Sequence, residues 1–202
     1  MHISEGVLSI PVLAVGAATA IAGTMIGLKK LDSEKLVSAA LLSSVFFVAS
    51  LIHIPIGPSS AHLILSGLMG LILGWAAFPA ILTGLLLQAV LFQFGGLTVL
   101  GVNTTIMALP AVICHYLFRP MLSKTGFTVN VGAFLCGAMS IAMSTILTAF
   151  ALSFTDESFI SAARLLVYGH IPIMIIEGFI CVFAYGFLQK VRPEILLLSQ
   201  ET

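Results

Sequence analysis

The chain has 202 residues, of which 59% are hydrophobic and 8% charged, and its formal net charge is zero. Soluble domains carry ~25% charged residues, so this composition, with a mean hydropathy of +1.18, reads as an integral membrane protein. The neutral balance excludes nucleic acid as a partner, because there is no basic excess to meet phosphates. Cys114, Cys136 and Cys181 are odd in number, lie in apolar runs and have no CxxC spacing, so they read as buried packing residues.

The chain begins MHISEGVL. This start carries an acid and no basic segment, so the apolar run over 7–28 is expected to be a first spanning helix rather than a secretory leader. A backbone inside a bilayer must satisfy its own hydrogen bonds, and the runs here are continuous rather than alternating, so spans are expected to be helices. Further spans are predicted over 36–54, 62–75, 77–94, 97–118, 130–153 and 168–189, with GWAAFP separating the third from the fourth. The expectation is one transmembrane domain over 1–202, all-α, with about seven transmembrane helices.

The basic residues then set the orientation. Lys29, Lys30 and Lys35 follow the first span, Arg119 and Lys124 the fifth, and Lys190 and Arg192 the seventh. Seven spans place these loops on one side, which the positive-inside rule makes cytoplasmic. Only Arg164 falls outside the pattern. The amino terminus is thus expected outside the cytoplasm and the carboxyl terminus within it. His2, His53, His62 and His170 gather on the outer rim, where an incoming cation first meets the protein, while His115 lies toward the cytoplasm.

A free amine followed by histidine at position 2 can chelate. The Met1 amine, the His2 amide nitrogen and the imidazole nitrogen nearest the backbone close a five-membered and a six-membered ring around one ion. The amide binds only after losing its proton, which couples binding to pH. A fourth in-plane nitrogen completes a square, which suits Ni(II) or Cu(II), whereas Zn(II) favours a tetrahedron. His62, starting the third predicted span behind the PSS turn, is the first candidate for that nitrogen and His53 the second. The competing reading makes His2 an exposed terminal polar residue.

Three stretches bear on the choice: MHISEGVL, PSSAHLILSGLMGLILG at 58–74, and HIPIMIIEGFICVFAYGFLQKVRPEIL at 170–196. Together they resemble the CbiM/NikM family, the substrate-binding membrane components of energy-coupling-factor transporters for cobalt and nickel. LTVLGVNTTIMALP at 97–110 is also similar to the family pattern. The resemblance implies a seven-helix fold whose amino terminus folds back into the bundle. It implies ligation by Met1 through its amine, by His2 through an amide and an imidazole nitrogen, and by His62. His53 lies outside the matching motif and receives no ligand role from it. The cargo implied is Ni(II) or Co(II), and four in-plane nitrogens lean toward nickel. The implied partners are a transmembrane coupling protein, a pair of ATPase subunits and in many cases a small accessory membrane protein; no fused accessory segment is expected here. The implied location is the cell membrane of a prokaryote, with lipid around the bundle.

The chain holds no G-x-x-x-x-G-K-[ST] loop, no HExxH and no G-x-S-x-G, so it is expected not to be an enzyme and to draw energy from a partner or a gradient. Glu5 is part of the family motif and is a candidate to orient His2 or the terminal amine. Ser59, Ser60 and Asn103 are candidates to fix the ligand loops. Glu177 is an acid inside the last predicted span, costly by ~3 kcal/mol at mid-helix. It is expected either to be protonated or to bond polar side chains on another helix, with structural bonding ranked above ion passage. His170 lies seven residues earlier on the same face, too far along the helix for direct pairing. Small-residue stripes, Ala14–Ala18–Ala22 among them, are expected to allow close helix packing, within the chain or onto a coupling protein. The alternative function is a self-sufficient secondary permease for a divalent cation, which would want paired intramembrane carboxylates. A haem protein using the outer histidines is a third class.

Overall fold

The structure is a computed structural model that describes residues 2–51, 53–56, 59–124 and 126–198; the side chains of residues 34, 53–56, 59–61, 197 and 198 are outside the described set. Seven helices form a bundle: α1 (Ile10–Lys29), α2 (Ser33–Ala49), α3 (Ser66–Leu73), α4 (Ala77–Phe92), α5 (Leu100–Leu122), α6 (Phe127–Thr155) and α7 (Ile160–Val191), followed by the short α8 (Pro193–Leu198). Among the described residues, five helical segments are long and apolar enough to cross a membrane: Ile10–Lys29, Ser66–Phe92, Leu100–Leu122, Phe127–Thr155 and Glu157–Val191.

Local chemistry sets the helix ends. Pro11 sits in the first turn of α1, where its missing N–H costs nothing, and Lys29 sits in the last turn, where its charge faces the carbonyl end. Asp32 caps α2 by accepting from the Lys35 amide at 2.7 Å. The Lys35 ammonium lies 3.7 Å from the same carboxylate.

The second span ends earlier than the hydropathy suggests. α2 stops at Ala49, and an antiparallel hairpin follows, β1 (His53–Ile56) with β2 (Ser59–His62), in a register that sets His53 opposite His62. Pro55 keeps Ile54, within β1, out of the helical region. The small sheet is thus an addition to the all-α expectation.

The third predicted span, 62–75, is also corrected. Residues 63–65 run without regular structure, and Leu65 sits in the left-handed region at φ 55°, before α3 begins at Ser66. Every residue of α3 is buried. Its glycines allow that: a Cβ on Gly70 would lie 2.3 Å from the Ala111 carbonyl oxygen, and one on Gly67 2.6 Å from the Cα of Gly137. Backbone therefore packs on backbone. At Gly74 (φ 53°, ψ −124°) the chain reverses through the 3-10 turn Gly74–Ala76 into α4, a conformation that glycine adopts without a Cβ clash.

Contacts along the bundle separate its two ends. At one end, the Ser9 amide meets Thr155 Oγ1, Gln88 reaches Phe47 and Ser50, and Ile3 meets Asn103. This end gathers the starts of α1 and α5 with the ends of α2, α4 and α6. At the other, the Tyr185 hydroxyl donates to the Leu122 carbonyl at 3.2 Å and Gly27 packs against Trp75 and Pro79. α7 begins at Ile160, not near 168, so His170 lies eleven residues into the helix rather than at its outer tip.

Candidate metal centre

The site forms where the first residues fold back onto α4 and α5. Ile3 is fully buried and His2 is 6% exposed. The anchor is Asn103, on the first turn of α5. Its Oδ1 accepts from the Ile3 amide at 3.0 Å and its Nδ2 donates to the Ile3 carbonyl at 3.1 Å. One side-chain amide thus satisfies both backbone groups of a buried residue, which would otherwise be costly. Asn103 was a sequence candidate, and the structure gives it this role beside His2.

A strap closes over the segment. The Glu5 amide donates to the Gly95 carbonyl at 2.9 Å. Gly95 has φ +77°, and a Cβ there would stand 2.9 Å from Asn103 Nδ2 and 3.7 Å from His2 Cδ2. Both the backbone angle and the space require glycine. The Glu5 carboxylate accepts from the Thr98 amide at 3.1 Å. That bond holds its carboxyl below the usual range, although the group is exposed. The described bond that orients the His2 ring comes from another residue, and the Glu5 carboxylate bonds the loop ahead of α5; the terminal amine, the other group it was a candidate to orient, lies outside the described residues. Glu5 also lines a cleft of about 370 Å³ with Ser4, Gln93, Gly95 and Gly96.

The residue that orients His2 is Gln88, one turn from the end of α4. His2 Nε2–H donates to Gln88 Oε1 at 2.7 Å. The Gln88 amide is turned that way because its Nε2 donates to the Phe47 carbonyl at 3.3 Å and to the Ser50 hydroxyl. Ser50 in turn donates to the Phe46 carbonyl at 2.7 Å. With the proton held on Nε2, the lone pair of His2 is on Nδ1, the nitrogen nearest the backbone. A chelate through the terminal amine and the His2 amide uses that nitrogen.

His62 closes β2 and faces His2, with ring centroids 4.6 Å apart and planes 30° from parallel. His62 Nδ1 donates to the Leu63 carbonyl at 2.8 Å, which places its lone pair on Nε2. Both rings are buried. Two imidazoles thus meet with opposite tautomers, each set by a hydrogen bond on the other nitrogen, as in metal-ligating histidines. Among the described residues no three His, Cys, Asp or Glu side chains form a group that could hold a metal.

The remaining candidates fall as follows. Met1 and the side chains of His53, Ser59 and Ser60 lie outside the described residues. His170 donates from Nδ1 to the Leu166 carbonyl one turn earlier, at 2.8 Å, and is buried. The Glu177 carboxylate accepts from the backbone amides of Ile64 and Leu65. This is bonding across elements as expected, although to main chain rather than to side chains. Gln88 and Ser50 were missed, yet an amide in the apolar run LLLQAVLF was a visible signal.

Comparison with known proteins gives the family. Residues 2–195 match the model of the CbiM family, described as the cobalt uptake substrate-specific transmembrane region. A protein from Haemophilus influenzae called a putative metal transport protein is 46% identical over 97% of each chain. A cobalt transport protein CbiM from Kyrpidia tusciae is 32% identical over 97% of this chain and 86% of its own. A putative fused nickel transport protein NikMN from Archaeoglobus fulgidus is 27% identical over 97% of this chain and 68% of its own. A crystal structure of a transition metal transporter superposes with a TM-score of 0.82 at 27% identity, covering 95% of this chain and 93% of the other. This chain belongs to the CbiM family of membrane proteins for metal transport.

Proposed function

We propose that this chain is the substrate-binding component of an ATP-driven importer of the energy-coupling-factor type, with Ni(II) or Co(II) as its cargo. The ion is held by the Met1 amine, the His2 amide nitrogen, His2 Nδ1 and His62 Nε2. The observation that carries the reading is the tautomer of His2: Gln88 holds the proton on Nε2 and so presents Nδ1, the atom that a terminal chelate uses. Four nitrogens near one plane favour Ni(II) among these cargoes.

The chain crosses the cell membrane of a prokaryote seven times. The His2 end faces outside and the end bearing Lys29, Lys30, Arg119, Lys124, Lys190 and Arg192 faces the cytoplasm, following the positive-inside rule. With no P-loop of its own, the chain relies on a transmembrane coupling protein and a pair of ATPase subunits, with or without a small accessory membrane protein. The test is reconstitution. The isolated chain in vesicles is expected to bind Ni(II) without ATP-driven uptake, and uptake is expected once coupling protein and ATPases are added. Robust gradient-driven uptake by the isolated chain would replace this reading by a secondary permease.

A further inference from the structure

Glu177 lies near the middle of α7, is fully buried, and has no place in the ligand set. Its Oε1 accepts from the Ile64 amide and, at 2.8 Å, from the Leu65 amide; its Oε2 also meets the Leu65 amide, at 3.0 Å. These are the residues that link the ligand His62 to the first turn of α3. Leu65 holds a left-handed conformation that a leucine side chain disfavours, so something must hold it there. α3 begins inside the bundle with its first residues buried and no side-chain cap on its first amides from Leu65. A carboxylate answers both needs.

The bond to Ile64 has a further consequence. The Ile64 N–H belongs to the same peptide unit as the Leu63 carbonyl, and that carbonyl accepts from His62 Nδ1 at 2.8 Å. One planar unit is therefore gripped at both ends, by Glu177 on its N–H and by the His62 ring on its oxygen. A carboxyl oxygen accepting on the N–H side draws the peptide dipole into line and makes the Leu63 oxygen a stronger acceptor. This arrangement corresponds to a carboxylate–histidine–metal triad, in which the outer carboxylate fixes the ring and raises its basicity. Here a backbone peptide stands between carboxylate and ring.

The geometry points to Glu177 as a positioning residue for metal capture, which acts through the Leu63–Ile64 peptide to hold His62 with Nε2 toward the ion. The inference rests on the ligand set proposed above. It ties α7 to the ligand: the longest of the described helices bonds, through Glu177, the same peptide unit that His62 Nδ1 grips from its other end.

The experiment uses the full chain, untagged at its amino terminus and purified in detergent, with Cu(II) as the probe, since Cu(II) holds nitrogen sites more tightly than Ni(II) and keeps weakened variants measurable. Four proteins are compared: wild type, Glu177→Gln, His62→Ala, and the double variant. Glutamine keeps the shape and one acceptor oxygen, but brings an NH2 group toward the amides and removes the charge. Glu177→Gln is expected to stay monodisperse and to lose affinity roughly tenfold or more, with the absorption band of the four-nitrogen site shifted toward that of His62→Ala. In the His62→Ala background the same change is expected to cost nothing further, because it acts only through that ring. Wild-type affinity and spectrum in Glu177→Gln would overturn the inference. An equal loss in the His62→Ala background would also overturn it, as would a Glu177→Gln chain that does not fold, because either result assigns the acid to the bundle rather than to the ligand. Retained tight binding by His2→Ala is a separate outcome that sinks the chelate itself.

Discussion

Gln88 holds the proton on His2 Nε2, and its replacement by leucine leaves that ring to choose its own tautomer. Gln88→Leu is expected to lower Ni(II) affinity by about 10- to 100-fold, the usual cost of losing such an outer partner, with the helix content unchanged. Calorimetry with circular dichroism on the purified variant checks both. His2→Ala and His62→Ala are each expected to abolish tight Ni(II) binding in folded protein, and His53→Ala to weaken it less; titration of the three variants side by side checks the order. Binding also releases protons, one from the amide and one from an amine whose ordinary pKa is ~7.7–8.0. The bound state holds fewer protons, so affinity rises with pH. The logarithm of the affinity is expected to climb by about two for each pH unit just below neutrality, whereas ligation by side chains alone gives a slope below one. His2 and His62, the two histidines proposed as ligands, stood out in the sequence because both carried motif neighbours, and the structure sets their rings face to face. Gln88 was less legible because a lone amide in a spanning run has many uses, and the sequence does not show that the chain start reaches α4. Glu5 sits in the motif, yet its carboxylate is spent on the Thr98 amide.

Among the elements, α3 departs most from an ordinary spanning helix. It is only eight residues long, starts in the bundle interior and is buried on every side. Gly70 faces the Ala111 carbonyl so closely that Gly70→Ala forces backbone apart. A destabilisation of about 1–3 kcal/mol is expected, seen as a lower melting temperature in detergent. Gly186, on α7, has open space where a methyl group would stand, with nothing within 4 Å, so Gly186→Ala is expected to leave the melting temperature equal or higher. The long helices were legible from hydropathy, since continuous apolar runs have one solution in a bilayer. The hairpin and the irregular 63–65 segment were not, because hydropathy does not distinguish a helix from non-helical chain buried in protein. The proline before Ile56 was the available clue. Likewise α7 extends eight residues before the predicted 168, since Arg164 and its polar neighbours lowered the apolar signal without breaking the helix.

For the whole molecule, the bundle separates a polar-bonded end around His2 from an end rich in Lys and Arg. The Ala14–Ala18–Ala22 stripe, one of those expected to support close packing, faces outward from α1, while Gly16, Ala20, Gly23 and Gly27 turn inward. Ala39 and Ser43 of α2 are buried, and Ala40 and Ser44 are exposed. Packing within the chain thus accounts for some small residues and leaves others on the surface. The central claim is that the chain's own amine completes the metal site, and one comparison tests it most directly. Ni(II) affinity is measured by calorimetry for the chain beginning Met-His, for the same chain with one residue added before Met1, and for the chain tagged after Thr202. One added residue moves the imidazole to position 3, demands a second deprotonated amide, and lengthens a segment that Asn103 and Gly95 hold in place. The expected result is tight binding in the first and third proteins and its loss in the second. Equal affinity in all three would contradict the amine as a ligand, even with His2 itself essential.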